Sequence, residues 1–593
     1  MKKEALLKAI AKKLRILSLE MTTRAGSGHP TTCLSMAELM SCLFFDEMRY
    51  NIKDPFDPGN DEFVLSKGHA SPILWACFAE AGIIREKDLE GYRQINSVLE
   101  GHPTPRMPWI KAATGSLGQG LSVGLGMALA MRLQKRNSRV FVMMGDGECA
   151  EGNVWEAAEL AGKLQVSNIT GILDANRLGQ SGESLHGHNV GGWERKFSAF
   201  GWHTRTIDGH KITEILDALA WAKNTKGPCM IIARTLKGKG VSFLENKEGW
   251  HGKALNESQL KRALSELGPM PRVNVKIKGP RKAKRFSARA VRPSRPNYKK
   301  GELVATREAF GIMLEKLGKD ERVVALDGDV QNSTYTKFFA KSFPKRFFEC
   351  YIAEQNMVAM AVGFQAMGFV PVASTFAAFF SRAHDQVRMA GISRANIKLV
   401  GSHAGISIGA DGPSQMGLED LALFRCIPDS VVLYPCDAVS AEALTSLSIK
   451  HKGLSYLRTS RPKTPVIYKK GESFAIGGSK ILTRPKRVRA VIIAAGVTVH
   501  EALKAAEERK DLLVVDAYSI KPLDEKTIRR VCKGRKVIVV EDHYPEGGLG
   551  EAIASLGIPI IHLAPKTLPR SGKPEELMRL HKIDSNAILK AVK

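Results

Sequence analysis

Long apolar runs are missing from this sequence. None approaches the ~20 residues that a membrane-spanning helix needs, which excludes a helical membrane protein. Paired cysteines are missing as well. Nine cysteines are scattered from Cys33 to Cys532 with no CxxC, which excludes a disulfide scaffold and leaves reduced core thiols of a cytoplasmic protein as the expectation. The N-terminal stretch MKKEALLKAIAKKLRILSLEM is charged throughout at helical spacing. It lacks the apolar centre and small-residue cleavage site of a secretory signal. The closing AVK is no ER-retention or peroxisomal signal. Acidic residues are absent from 272–300, a stretch with twelve Lys or Arg and three Pro.

That basic stretch divides the chain. With 593 residues, three to five domains are expected. The net charge of +28 admits nucleic acid, anionic lipid or phosphorylated metabolites as partners. The stretch itself reads as an extended, solvated linker. A polyanion-binding arm is the alternative, disfavoured because no RNA-stacking motif or recognition helix accompanies it. Before it, apolar β-rich runs end in glycine turns and alternate with helical patterns, as in RVFVMMGDGE, GNVWEAAELAGKL and ITGILDANRLG. The pattern restarts with RVVALDGDV, IKLVGSHAGIS and VVLYPCD, and again near Arg487 with AVIIAAG, DLLVVDAY, KVIVVEDH and PIIHLA. Such alternation predicts parallel sheets covered by helices. The expected architecture is three consecutive α/β domains with mainly parallel sheets. They span 1–270, 301–465 and 475–593, with the linker at 271–300.

Two strand ends carry the first chemistry. Gly145-Asp146-Gly147 follows an apolar run, and Asn176 closes another run at a spacing of thirty residues, 146 to 176. Ligands of doubly wound sheets bind at the carboxyl ends of strands. A carboxylate from Asp146, an amide oxygen from Asn176 and the Leu178 carbonyl suit Mg²⁺ or Ca²⁺, with phosphate oxygens completing the shell. Either motif alone is a common turn; the pair at this spacing matches a thiamine-diphosphate signature. Thr114-Gly115-Ser116-Leu117-Gly118-Gln119-Gly120 leads into an apolar helix pattern and suits an anion. It is not GxGxxG after a strand, so a dinucleotide site is rejected. His29, His69, His102, His251 and His403 each lie beside glycine at a turn. They have neither the spacing nor the cysteine partners of a zinc site.

These motifs resemble the transketolase family, most closely its shorter type found in animals and some prokaryotes. The resemblance rests on SGHPTTCLSMAEL, LSKGHASPILWA, EGHPTPR, ATGSLGQGLSVG, MGDGECAEGNVWEA, TLKGKG, ECYIAEQNMVAMAVG, STFAAFFSRAHDQVRMA, GSHAGISIGADGPSQMGLEDLALFR and RTSRP, among others in all three blocks. It implies a thiamine-diphosphate enzyme that moves a two-carbon glycolaldehyde unit from a ketose phosphate, such as xylulose 5-phosphate, to an aldose phosphate, such as ribose 5-phosphate or erythrose 4-phosphate, in the non-oxidative pentose phosphate pathway. It further implies a homodimer with active sites at the subunit interface. By resemblance, Mg²⁺ (or Ca²⁺ or Mn²⁺) sits on Asp146, Asn176 and Leu178. Lys67, His69, Gly115, Ser116, Leu117, Gly147, Lys237, His251 and Gln415 line the cofactor. Phe376 and Phe379 pack on its pyrimidine, Phe379 being the better stacking partner, and Glu354 bonds the pyrimidine N1′. His29, His69, His102 and His251 transfer protons and hold hydroxyls. Thr32 and Asp411 also meet the substrate, while Arg307, Ser333, His403 and Arg461 bind its phosphate. Arg177 stands where many thiamine-diphosphate enzymes carry a second Asn. The nearest alternatives are 1-deoxyxylulose-5-phosphate synthase or another thiamine enzyme using a 2-oxo acid, and a polyanion-binding protein.

Overall fold

The computed structural model describes residues 2–287, 291 and 293–593. The chain forms two compact units, one of residues 1–287 and 362–367, the other of residues 288–361 and 368–593. Among the described residues no helix is long and apolar enough to cross a membrane.

The first unit is built on β1 (Glu62–Leu65), β2 (Val140–Gly145), β3 (Ile169–Ala175), β4 (His203–Asp208) and β5 (Cys229–Arg234). The sheet order is β1-β2-β3-β5-β4, and every pairing is parallel. VFVMMG and ITGILDA are buried at every position. Continuous apolar runs of this kind need helices on both sheet faces. The edge strand β4 carries HTRTID and is half-exposed, a polar edge that discourages further pairing. Because all strands run the same way, the segments that follow β1, β2, β3 and β5 emerge along one edge. Those segments are Ser66–His69, Asp146–Gly147, Asn176–Leu178 and Thr235–Lys237. Two helices packed on the same core, α1 (Lys3–Arg24) and α2 (Pro30–Ser35), bring His29 to that edge as the residue before α2. Pro30 opens α2, where its missing N–H costs nothing.

The basic stretch departs from the sequence expectation. Val273, Val275 and Ile277 pack on the first unit's core, while Arg272, Asn274, Lys276 and Lys278 between them are exposed. The Tyr50 N–H donates to the Lys278 carbonyl at 3.0 Å. Arg285 pairs with Asp54 at 2.6 Å, and Arg281 pairs with the buried Asp61. An extended segment with one apolar edge therefore lies against the unit, rather than a freely solvated tether. Arg289 and Arg292, counted in the same run, lie outside the described residues.

The second unit holds two larger sheets. One has seven strands in the order 519–521, 431–433, 455–458, 398–402, 370–376, 323–327, 347–349, parallel throughout except for the first pairing. The other orders 480–481, 512–516, 490–494, 536–540 and 561–563, with only 480–481 antiparallel. Both fit the expected α/β class. Ser519–Lys521 comes from the third sequence block yet completes the sheet of the second. The connection 458–472 is tied down by Asp437, whose carboxylate accepts the N–H groups of Ile467 and Tyr468 at 2.9 and 3.0 Å.

Candidate active site

A cavity of about 340 Å³ opens at the carboxyl edge of the first unit's sheet. It gathers Thr32, Lys67, Gly115, Leu117, Gly147 and Lys237 with the histidines His29, His69, His102 and His251 and the oxygen donors Asp146, Asn176 and Leu178. Ser116 lies in the loop between Gly115 and Leu117. Residues separated by up to 222 positions in sequence (29 to 251) thus share one wall. Gly115 is required here: its φ is +128°, and a Cβ would lie 2.6 Å from the His102 ring.

The histidines form a cluster. Ring centroids of His29 lie 5.0 Å from His69, 5.0 Å from His251 and 6.2 Å from His102. Burial, with His102, Arg93 and Lys237 nearby, lowers His29 to about 4. Burial and Lys237 lower His251 to about 3. Burial also depresses His69 and, with Arg93, His102. At neutral pH the wall is a set of uncharged imidazoles, each able to accept a proton or donate one N–H. His29 Nδ1 is buried without a hydrogen-bond partner.

Lys237 Nζ donates to the carbonyls of Leu178 and Gly179 and to His251 Nδ1, each at 2.9 Å. Burial, then the neighbouring Lys67, lowers it to about 8. Asp146 accepts from the N–H of Gly147 at 2.9 Å, the N–H of Arg177 at 2.8 Å and the Ser184 hydroxyl at 2.8 Å. Burial nevertheless holds its carboxyl above the usual range, a negative charge that a cation would relieve. Among the described residues no three His, Cys, Asp or Glu side chains cluster as a metal site. The donor set is instead one carboxylate, one amide and one carbonyl, all oxygen. It fits a hard divalent cation that completes its shell with diphosphate oxygens.

Sequence reasoning missed three residues here. Glu148 is buried and accepts from the N–H groups of Gly118 at 2.8 Å and Gly145 at 3.1 Å, and from the Ser66 hydroxyl. Its position directly after Gly145-Asp146-Gly147 was the available signal. Asp174 holds Lys67 at 2.5 Å. Arg93, in a loop without motif, lies beside His29 and His102.

The second unit gathers another group. The His403 ring stacks on Phe376 at 3.9 Å, and Phe376 lies parallel to Phe379 at 5.2 Å. The three rings thus form one stacked set. His403 adopts a φ of +57°, uncommon for a non-glycine residue. Burial, with Arg307 and Arg461 nearby, lowers it to about 3. Arg307 donates to the Ser333 carbonyl at 2.9 Å while its Nε is buried without a partner. Arg461 donates to the Ile408 carbonyl at 2.8 Å and pairs with the exposed Asp411 at 3.2 Å. Two guanidinium groups and an imidazole thus converge with spare donors, an arrangement suited to an anion. Glu354 opens the helix Glu354–Ala366, is 3% exposed, and meets Arg382 at 3.3 Å. Arg382 also lies over the Phe379 ring, 5.4 Å from its centroid. No motif or spacing points to this pairing. Gln415 is half-buried on the short turn Pro413–Gln415.

Comparison with known proteins agrees with this geometry. Residues 6–299 match the transketolase thiamine diphosphate binding domain. Residues 302–466 match the transketolase pyrimidine binding domain, and 479–588 the transketolase C-terminal domain. The transketolases of Rattus norvegicus and Homo sapiens are each 48% identical, over 99% of this chain and 97% of theirs. A crystal structure of transketolase from Campylobacter jejuni superposes with a TM-score of 0.89 at 25% identity, covering 99% of both chains. A Pichia stipitis transketolase in complex with sedoheptulose 7-phosphate has the same fold, with a TM-score of 0.87 at 24% identity, covering all of this chain and 97% of that one. Three transketolase domain models along the chain, and full-length similarity on this scale, establish that the chain belongs to the transketolase family of transferases.

Proposed function

We propose that this transketolase transfers a glycolaldehyde unit between sugar phosphates, with xylulose 5-phosphate as a donor and ribose 5-phosphate or erythrose 4-phosphate as acceptors. The observation that carries this reading is the wall of four uncharged imidazoles above an all-oxygen donor set in one cavity. Thiamine diphosphate, when bound, would supply the carbon nucleophile for the two-carbon transfer. The chain's own residues do the rest. Asp146, Asn176 and the Leu178 carbonyl hold Mg²⁺, for which Ca²⁺ or Mn²⁺ substitutes. Lys67, Gly115, Ser116, Leu117, Gly147 and Lys237 line the diphosphate end. Neutral His29, His69, His102 and His251 accept and return the protons of substrate hydroxyls, and Thr32 and Asp411 orient the sugar. Arg307, Arg461, His403 and Ser333 hold the sugar phosphate. Phe379 stacks on the cofactor's pyrimidine ring, with Phe376 and Gln415 beside it, and Glu354 bonds its N1′.

We further infer a cytoplasmic homodimer with active sites at the subunit interface, and domains at 1–270, 301–465 and 475–593. All nine cysteines are free, and eight of them are buried, which suits a reducing compartment. Ile352 and Tyr351, just before Glu354, are 69% and 41% exposed, an apolar pair that suits a subunit contact. One assay tests the activity. Xylulose 5-phosphate and ribose 5-phosphate, supplied with thiamine diphosphate and Mg²⁺, should release glyceraldehyde 3-phosphate. A requirement for a 2-oxo acid donor would overturn the assignment. Sedimentation equilibrium should give twice the 64.9 kDa of one chain.

A further inference from the structure

Asp174 does not itself line the cavity, yet it ties together the segments that build it. It is the next-to-last residue of β3, opposite Gly145 of β2 and Ala233 of β5, and is 0% exposed. A carboxylate at the centre of a parallel sheet is costly unless its oxygens are satisfied. Here they are. Oδ2 accepts from the Ser35 hydroxyl at 2.7 Å, from Lys67 Nζ at 2.5 Å and from Asn176 Nδ2 at 3.0 Å, and Oδ1 accepts from the Thr235 hydroxyl. Ser35 lies on α2, three residues beyond Thr32. Lys67 is two residues before His69, and Thr235 two before Lys237. Each partner is thus close in sequence to a residue of the cavity wall.

The bond to Asn176 has a directional consequence. A carboxylate only accepts, whereas a side-chain amide presents an NH₂ on one side and a carbonyl oxygen on the other. With Nδ2 committed to Asp174, the Asn176 oxygen must face away from it. There it accepts the Leu178 N–H at 3.2 Å. An asparagine at 174 would remove this constraint, because its own NH₂ could donate to the Asn176 oxygen and let that amide turn over. An NH₂ turned toward a cation cannot ligate it.

We propose that Asp174 is a positioning residue: it fixes the Asn176 amide with its oxygen toward the cation position and thereby sets divalent-cation affinity without contacting cation or cofactor. The inference rests on the assignment of Asp146, Asn176 and Leu178 as the cation's ligands. A plainer role, neutralising the buried Lys67, is distinguished by experiment. Mg²⁺ is titrated into full-length protein at saturating thiamine diphosphate and followed by calorimetry, with circular dichroism of the cofactor-free protein as the folding control. D174N should bind Mg²⁺ about 10–100-fold more weakly, the usual consequence of losing a group that orients a ligand. D174N/K67M removes both buried charges and should stay weak by the same factor. Parental affinity in that double variant would show that Asp174 only neutralises Lys67, and would overturn the proposal. T235V keeps both charges and removes the donor on Oδ1. It covers the case in which an amide at 174 does not fold, with Mg²⁺ binding expected to weaken about 2–10-fold. Unchanged affinity in folded T235V would also overturn the proposal. N176A separates the two assignments: if it binds Mg²⁺ as the parent does, the ligand set is wrong, whatever Asp174 does.

Discussion

In the first unit Lys67, which lines the strand-end cavity, meets Asp174 at 2.5 Å. In the second unit Arg458, fully buried, is held between Asp420 and Asp542, each at 2.8 Å. Both are buried ion pairs at the ends of parallel strands, but their surroundings differ. Arg458 donates in addition to the carbonyls of Gly417 and Asp542, and its guanidinium lies 4.5 Å from the Tyr434 ring centroid. Tyr434 and Tyr456 donate to Asp542 and Asp420 in turn. That network closes on the scaffold. The network at Asp174 ends on residues that line a cavity. Burial of a charge therefore says little about function; what matters is where its hydrogen bonds lead. Arg307 keeps a buried Nε unpaired and Arg461 is half-exposed, so neither closes on the scaffold as Arg458 does.

The largest effect should come from breaking the closed network. R458M leaves Asp420 and Asp542 buried without their partner, which should cost about 3–5 kcal/mol. Urea unfolding measures this. Unchanged stability would mean that the network is not the scaffold element described here. The folded fraction should keep its KM for sugar phosphates.

Next in size is the buried carboxyl to which the proposed function gives a chemical role. E354Q preserves shape and removes the ability to share a proton. Turnover should fall about 10²–10⁴-fold, with thiamine-diphosphate binding by calorimetry close to parental. Comparable losses of binding and turnover would instead make Glu354 a structural partner of Arg382.

A smaller effect is expected at the anion cluster. R461A removes a charged donor that is engaged equally in the ground and transition states, so it should act mainly on KM. A charged hydrogen bond is worth about 1.5–3 kcal/mol, or roughly 10–150-fold. Steady-state kinetics with xylulose 5-phosphate reads this. An unaltered KM would place the phosphate elsewhere.

What was legible in the sequence follows the same division. Gly145-Asp146-Gly147 and Asn176 stand out because each puts a particular residue type at a strand end, and the histidines because each lies beside glycine at a turn. Asp174 does not, because inside ITGILDA it reads as one polar letter in an apolar strand. Arg177 illustrates a rule visible only in coordinates. Its φ is +77°, a conformation that asparagine tolerates better, so the second Asn of related enzymes suits the backbone there. Arg177 is held by Glu183 at 2.8 Å and by the Asn246 carbonyl at 3.3 Å. The three α/β blocks were evident from alternating strand and helix patterns. The Ser519–Lys521 pairing was not, since a three-residue strand has no periodicity to detect. Nor was the packing of 271–277, where three apolar residues at period two are diluted by cations.

The smallest prediction concerns pH and separates the histidine wall from the rest of the molecule. His29 and His251 sit at about 4 and about 3 in the folded protein, against 6.5 when unfolded, with burial as the main cause in both. Between pH 6.5 and about 4 the unfolded chain therefore binds protons that the folded chain refuses. Stability from these groups is fully present above 6.5 and is lost as pH falls toward their folded values. Both rings are partly exposed, and their proximity at 5.0 Å makes the second protonation harder than the first, so the loss should be spread over the window. H29Q/H251Q removes the two groups and keeps polar side chains in place. Its thermal midpoint, followed by circular dichroism without cofactor, should fall less steeply than the parent's from pH 6.5 to 4 and run parallel to it above 7. Parallel curves throughout would mean that the two imidazoles titrate alike in the folded and unfolded chain, and the lowering of His29 and His251 by burial would have to be abandoned.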